Sequence, residues 1–426
     1  MKKNEAVLKE VLKDIEPSEE DLRYIKKQLS VFSKDIKEKI KKNKIKAEIF
    51  VGGSFAKGTV IKKKNYDVDI FIRFDKEYDS KDISNLTKKI LSGHNPLLVH
   101  GSRDYFIVYC ERNFCLELVP VKKLKNLKEY ENITDLSYLH VKYIHKKIKN
   151  KKILDEIKIA KAFCYANNCY GAESYINGFS GYSLELLVYY YKSFMNFVKA
   201  MSKISLDKKE IIDIEKHFKN KKEALLDLNS AKLNSPIILI DPTFKQRNAL
   251  AALSKETFEK FSKVCKEFVK RPDKKFFEQK KVDLDKLKED AMKKGEEFIL
   301  LEASTNKPIG DIAGSKLKKF YNYLEKELDK FFIVKNKGFN YNGKSSARYF
   351  FIVQSKKEVL FSGPFTDDKE NCHKFKLEHR DVFEKEGKLF AREKIKFDLK
   401  EFIEKWKLKS YRIIKEMYIT NFLILN

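Results

Sequence analysis

Apolar residues Leu22, Ile25, Leu29, Phe32, Ile36 and Ile40 recur at helical spacing, which predicts one long amphipathic helix. Ser18 stands at its start as an N-cap, with Asp21 three positions on, and a shorter helix is expected over residues 5–15. A β-type run at 47–51 stops at Gly52-Gly53. Residues 66–74 read as an apolar strand with alternating acids. Residues 106–110 and 114–121 read as a hairpin about the turn Glu111-Arg112-Asn113. From about residue 146 the texture becomes helical, with helices expected at 153–166, 182–201, 211–228 and 254–269 and one short strand at 236–241. A charged stretch at 270–293 reads as a connector. A strand at 298–302 and a helix at 315–332 follow, then two strands at 348–353 and 358–361 that are expected to pair. The last 30 residues read as helical.

Those textures predict an α+β multidomain chain. Its 426 residues suit two to four domains at roughly 100–200 residues each. The expected division is a catalytic head at 1–145, a mostly helical central domain at 146–275, and an α/β body with a short tail at 276–426. The βαββ order in the body suits a small sandwich of the ferredoxin-like kind. Charge narrows the partner: 90 Lys+Arg against 62 Asp+Glu give a formal net charge of +28, which favours a polyanion such as nucleic acid. No apolar run approaches the ~20 residues that span a bilayer, and the N-terminus lacks an apolar signal region, so no membrane partner and a cytoplasmic location are expected. The six cysteines form no C-x-x-C pair and read as reduced thiols. Cys372-His373 with His379 lacks a fourth ligand at any usual spacing and reads as a loop and a helix face.

The chemistry concentrates in Gly52–Thr59 and Asn65–Phe71. On a strand, Asp67 and Asp69 share one face, about 6.5–7 Å apart along the chain, while Val68, Ile70 and Ile72 fill the other. Two ionised acids so close on a half-buried strand repel each other, and a divalent metal offsets that charge well. Magnesium suits the site because it takes oxygen ligands from carboxylates and substrate phosphates. Glu117 lies within the apolar strand 114–120, where a lone carboxylate is costly unless paired or metal-bound. Two metals held by Asp67, Asp69 and Glu117 could position an attacking oxygen and stabilise a leaving one in phosphoryl transfer. Gly52 and Gly53 permit close backbone approach, Ser54 is expected at the N-terminus of a short helix where phosphate is favoured, and Lys57 adds a cation one turn later. The stretch is not a P-loop, because Thr59 follows Gly58 directly with no Lys between them; neither G-x-G-x-x-G nor G-x-S-x-G occurs.

Through Gly53-Ser54 and Asp67-x-Asp69 the head resembles the DNA polymerase β-type nucleotidyltransferases. The chain resembles more closely the archaeal (class I) CCA-adding enzymes, from the N-terminal helix to about Lys407. The likeness rests on Lys161-Ala162-Phe163, Tyr170-Gly171-Ala172-Glu173, Gly178-Phe179-Ser180-Gly181-Tyr182, and Asp241-Pro242 with Arg247-Asn248. The resemblance implies addition of C, C and A to the tRNA 3′ end from CTP and ATP without a template. The reaction would be two-metal attack of the 3′-hydroxyl on the α-phosphate, releasing pyrophosphate. It implies Mg2+ on Asp67, Asp69 and Glu117, and nucleotide contacts from Gly53, Ser54, Lys57, Ser137, His140, Lys161, Tyr170 and Arg247. The implied RNA contacts are the tRNA acceptor stem and TΨC arm, and a homodimer stays open. This sequence departs from the family at Glu117 (usually Asp), Lys57 (usually Arg), Ser137 (usually Thr) and in a shorter tail after 363–397. Read from the residues alone, Lys161 is also an ordinary helix lysine, His140 a hydrogen-bonded histidine, and Arg247 a helix cap. A poly(A)-type or other RNA 3′-tailing transferase shares the head. A non-catalytic RNA-binding protein is the remaining alternative.

Overall fold

The helical spacing of the first 45 residues is realised as α1 (Lys2–Ile15) and α2 (Glu19–Lys42) in the computed structural model of the chain. The structure describes residues 2–101, 103–124, 129–279 and 282–425. Ser18 caps α2, its Oγ accepting the Asp21 N–H at 3.0 Å, and Ile25, Leu29, Phe32, Ile36 and Ile40 are buried. Next come β1 (Ala47–Val51), α3 (Gly53–Ala56), β2 (Tyr66–Phe74), α4 (Ser80–Ile90), β3 (Leu97–Val99), β4 (Tyr105–Cys110) and β5 (Phe114–Lys122). The strands form one sheet in the order β1-β2-β5-β4-β3. β4 and β5 form the expected antiparallel hairpin, whereas β2 and β5 run parallel. The buried face of α2 packs with Val68, Ile70, Ile72, Leu116 and Leu118 in one core. That burial fixes the strand faces and turns Asp67, Asp69 and Glu117 to the opposite side.

Beyond this sheet lie α5 (Ser137–Lys147), α6 (Lys151–Ala166), α7 (Gly181–Tyr191), α8 (Phe194–Met201), β6 (Glu210–Asp213), α9 (Lys221–Asp227), β7 (Ile237–Asp241), β8 (Phe244–Asn248) and α10 (Lys255–Lys270). The helix expected over 182–201 is broken in two. Lys192 adopts a left-handed φ of 68°, and Ser193 then caps α8 by accepting the Asn196 N–H. The helix expected over 211–228 is also corrected. Ile211 and Ile212 pair in parallel with Ile238 and Leu239 of the fully buried β7, and helix resumes only at Lys221, capped by Asn220. Sheet pairing beside a buried strand outweighs local helical spacing there. Phe163 sits among Phe194, Phe261, Phe268 and Phe277 at ring separations of 5.3–5.9 Å, and this aromatic core anchors α6.

The chain divides into two compact units, Met1–Lys280 and Lys281–Asn426, and the expected head and central domain both fall within the first. The expected connector at 270–293 holds a 3-10 turn, Lys274–Phe277, and a helix, α11 (Leu284–Lys293), capped by Asp283. The second unit continues through β9 (Glu297–Thr305), α12 (Asp311–Leu328), β10 (Phe332–Tyr341), β11 (Ser346–Ser355), β12 (Glu358–Phe365), α13 (Lys369–Glu378), β13 (Asp381–Lys385), β14 (Lys388–Lys394), α14 (Leu399–Lys409), α15 (Tyr411–Glu416) and β15 (Ile419–Leu425). One sheet has the order β10-β11-β9-β15 and a second the order β12-β14-β13. The segments 348–353 and 358–361 therefore do not pair. β11 is already bonded on both edges, by β10 and β9, so β12 takes β14 as its partner. α12 ends at Leu328 and Phe332 begins a strand; the last 30 residues are helical in α14 and α15, as expected, but Ile419–Leu425 forms an edge strand against β9. Among the described residues, no helix is long and apolar enough to cross a membrane.

Candidate active site

The parallel pairing of β2 with β5 places Asp69 opposite Glu117 and Asp67 opposite Cys115. All three carboxylates thus stand on one face of adjacent strands, as the alternation in each strand predicts. Burial, with the Asp67 charge second, pushes Asp69 up to about 6. Burial, then the charges of Asp69 and Asp67, push Glu117 up to about 7. Lys63, which sequence reasoning missed, bonds Asp67 Oδ1 at 2.7 Å and carries positive charge into the group. Among the described residues no three His, Cys, Asp or Glu side chains are drawn closely enough together to enclose an ion. The donor set nevertheless suits a hard divalent cation: three carboxylates on one face, two of them raised by crowding and burial.

The glycine turn closes on these acids. The Gly52 N–H donates to the Asp69 carbonyl at 2.9 Å, and Gly53 has φ +61°. A Cβ at Gly53 would lie 1.6 Å from Asp69 Oδ2. Gly53→Ala is therefore expected to push the Asp69 carboxylate aside. A misplacement on the scale of 1 Å costs roughly 10²-fold in rate, so kcat should fall by about that factor while the fold survives. Steady-state turnover alongside thermal unfolding checks this; undiminished kcat would show that the close approach is idle. Ser54 is the second residue of α3 and half-buried, and Ser137 opens α5, also half-buried.

Lys57 and Lys161 meet on a partner that sequence reasoning missed, Glu185 of α7. Lys57 Nζ donates to Glu185 Oε2 at 2.6 Å and Lys161 Nζ to Oε1 at 3.1 Å. Thr59 Oγ1 donates to Oε1 at 3.0 Å and accepts from Lys161 Nζ at 2.7 Å. Burial alone would raise Glu185, but the Lys57 and Lys161 charges outweigh it and hold the carboxyl below its usual range. Burial draws Lys161 down to about 8. The one available signal was a single acid inside the apolar run 184–191.

One turn earlier on α7, Tyr182 joins a second buried group centred on Asp241. Asp241 Oδ2 accepts from Arg247 Nη1 at 2.6 Å and lies 3.1 Å from His140 Nε2. Its Oδ1 accepts from the Tyr182 hydroxyl at 3.1 Å and from the Thr243 N–H and hydroxyl, each at 2.8 Å. The His140 ring stacks on Tyr182 with centroids 4.0 Å apart. Burial lowers His140, while His140 and Arg247 keep Asp241 well below the usual carboxylate range against the effect of burial. The structure thus joins His140 and Arg247, which lie far apart in sequence, through an aspartate that the sequence offered only as part of a motif. Tyr170 is raised by burial and then by the Glu185, Asp67 and Asp69 charges.

Comparison with known proteins bears on this arrangement. The family described as "tRNA nucleotidyltransferase, second domain" matches residues 155–278, and the family described as "Second Messenger Oligonucleotide or Dinucleotide Synthetase domain" matches residues 1–153. A CCA-adding enzyme of Nanoarchaeum equitans is 44% identical over 50% of this chain and 52% of its own length, so that match spans about half of the relative. A CCA-adding enzyme of Methanocaldococcus jannaschii is 30% identical over 91% of this chain and 87% of its own. One from Saccharolobus shibatae is 31% identical over 75% and 71% respectively. Among solved structures, a cytoplasmic RNA terminal U-transferase superposes with a TM-score of 0.51 at 12% identity, covering 66% of this chain and all of that one. The Cid1 poly(U) polymerase gives 0.50 at 13% identity, covering 64% and 98%. At such identities these two structures speak to the fold alone: a mixed α+β chain with nucleotidyltransferase neighbours.

Proposed function

This chain belongs to the CCA-adding enzyme family and is a tRNA nucleotidyltransferase, and from that premise we propose how it extends a tRNA 3′ end with C, C and A from CTP and ATP. The observation that carries the reading is the shared face of Asp67, Asp69 and Glu117, set by the parallel register of β2 on β5, with the Gly52-Gly53 turn closed upon it. Asp67, Asp69 and Glu117 would hold divalent ions, which we take to be Mg2+. Bound there, such ions supply charge that lowers the pKa of the attacking 3′-hydroxyl and offsets the triphosphate. The protein's own groups do the rest. Gly53 and Ser54 offer backbone and hydroxyl to the phosphates, and Lys57, Lys161 and Tyr170 line the phosphate end of the site. Asp67 or Glu117 would accept the hydroxyl proton.

His140, Arg247 and Ser137 form the base end in this reading, with Arg247 fixed by Asp241 so that its guanidinium has one orientation. The meeting of the two family matches near residue 154 supports a head of about 1–145 and a central domain of about 146–275. The second unit serves as a ferredoxin-like RNA-binding body for the acceptor stem and TΨC arm. A chain of net charge +28 should hold that duplex through phosphates, so affinity should fall steeply with salt and depend little on sequence.

The test is extension of a tRNA transcript lacking CCA, resolved to single nucleotides, with CTP alone, ATP alone or both. Two additions with CTP, a third only when ATP is present, and none by Asp67→Ala/Asp69→Ala are expected. An open ladder with ATP would instead place the chain among RNA-tailing transferases.

A further inference from the structure

Glu185 has no exposed side-chain surface, and it sits in an otherwise uncharged helix whose neighbours Leu184, Leu186, Leu187 and Val188 are all core residues. A carboxylate so placed is held there only by what it bonds. Its partners come from two separate segments. Lys57 and Thr59 follow the glycine turn of the head sheet, and Lys161 lies on α6. Each oxygen has its own lysine, Lys57 on Oε2 and Lys161 on Oε1, so the two ammonium groups are held side by side at a spacing fixed by one carboxylate. The side chains of these lysines are only 8% and 3% exposed, and both bear electrostatically on Asp69. Two cations and one anion leave the group with a surplus positive charge directed at the acids. Burial disfavours the charged form of Lys161 and Lys57 repels it; Glu185 is the group that opposes both.

We propose that Glu185 is a positioning residue for the incoming nucleotide, its carboxylate presetting Lys57 and Lys161 as one paired cradle for the triphosphate. The proposal rests on the reading that these two lysines contact the triphosphate. It extends that reading by naming the group on which their geometry depends. Preorganised cations bind a polyanion without first losing the freedom of two long side chains, which is why a fixed pair outperforms two mobile ones.

The test is equilibrium binding of CTP and of CMP to the full chain in Mg2+, with thermal unfolding recorded for every variant. A merely structural role would weaken both ligands alike. Glu185→Gln is expected to weaken CTP at least ten-fold while CMP stays within two-fold, and Glu185→Asp is expected to recover part of the loss. Lys57→Met and Lys161→Met examine the underlying reading. If neither weakens CTP, the lysines do not hold the triphosphate, and the proposal falls with that reading. If both weaken CTP and Glu185→Gln does not, the reading stands and the positioning role is overturned. Should Glu185→Gln not fold, the double variant Glu185→Gln/Lys161→Met removes one charge of each sign. It is expected to bind CTP more weakly than Lys161→Met alone, because Lys57 has lost its anchor; equal affinities would overturn the proposal.

Discussion

Asp69→Asn is expected to lower the rate of nucleotide addition by about a thousand-fold, with the fold intact. Asp69 is the central member of the three acids: its own strand supplies Asp67 and the paired strand supplies Glu117 directly opposite. Neutralising it removes a ligand proposed to serve both ions. A loss of roughly 4 kcal/mol of transition-state stabilisation corresponds to that factor. The same substitution should act on stability in the opposite sense. The folded-state values of Asp69 and Glu117 lie above their ordinary ones, at about 6 against 3.8 and about 7 against 4.5. For such groups the folded state binds more protons than the unfolded one, so stability is full below about pH 4 and declines as pH rises toward 7. Metal-free wild type should therefore lose thermal stability across that window, and added Mg2+ should restore more of it at pH 8 than at pH 5, because binding needs the deprotonated carboxylates. In Asp69→Asn the decline should be shallower and the Mg2+ effect smaller. Melting curves with and without Mg2+ at both pH values check the second half, and single-turnover extension checks the first. Full activity in the variant, or a wild-type melting point indifferent to Mg2+ at pH 8, would remove these acids from the chemistry.

The acids were legible in the sequence because a strand writes its faces as alternation, and charged residues stand out against Val68, Ile70, Leu116 and Leu118. Their register was not. That Asp69 faces Glu117 depends on β5 lying parallel beside β2 although the two are separated by α4 and two further strands, which no local pattern encodes. Glu185 shows the complementary failure. Its helix reads as core, and the lysines that justify its burial lie 128 and 24 residues away in the chain, so only tertiary structure joins them. The misread helix at 211–228 has the same cause, since Ile211 and Ile212 owe their strand geometry to β7. The expected pairing of 348–353 with 358–361 failed because adjacency in sequence says nothing of whether both edges of a strand are already taken, as those of β11 are. Local punctuation fared better: Ser18 and Ser254 cap helices where the spacing placed their starts.

Asp241→Ala is expected to cost about 3–5 kcal/mol of stability, the range for breaking a buried ion pair by removing one partner. Against a total of roughly 5–15 kcal/mol for a domain, that is enough to show as a large drop in the urea midpoint. The carboxylate is wholly buried and holds four residues at once: Arg247, His140, Tyr182 and Thr243. Its removal leaves a guanidinium that is only 18% exposed without its acceptor and a buried tyrosine hydroxyl without a bond. Asp241→Asn keeps the shape and part of the hydrogen bonding but not the charge, so it should fall between wild type and Ala. The pH dependence separates charge from packing. Asp241 is depressed below 3.8 in the fold, so its contribution is present above that pH and is lost as pH falls through the folded value. The gap between wild type and each variant should therefore be full at neutral pH, begin to narrow as pH falls below 3.8, and close only at the much lower folded value. If the variants differ from wild type by the same amount at neutral pH and in strong acid below the folded value of Asp241, the loss comes from the cavity alone. Asp241 would then fill space, and the fixed orientation of Arg247 would need another cause. Convergence would instead tie the geometry of the base end of the site to one ionised side chain, reached from α5, α7 and β8 together.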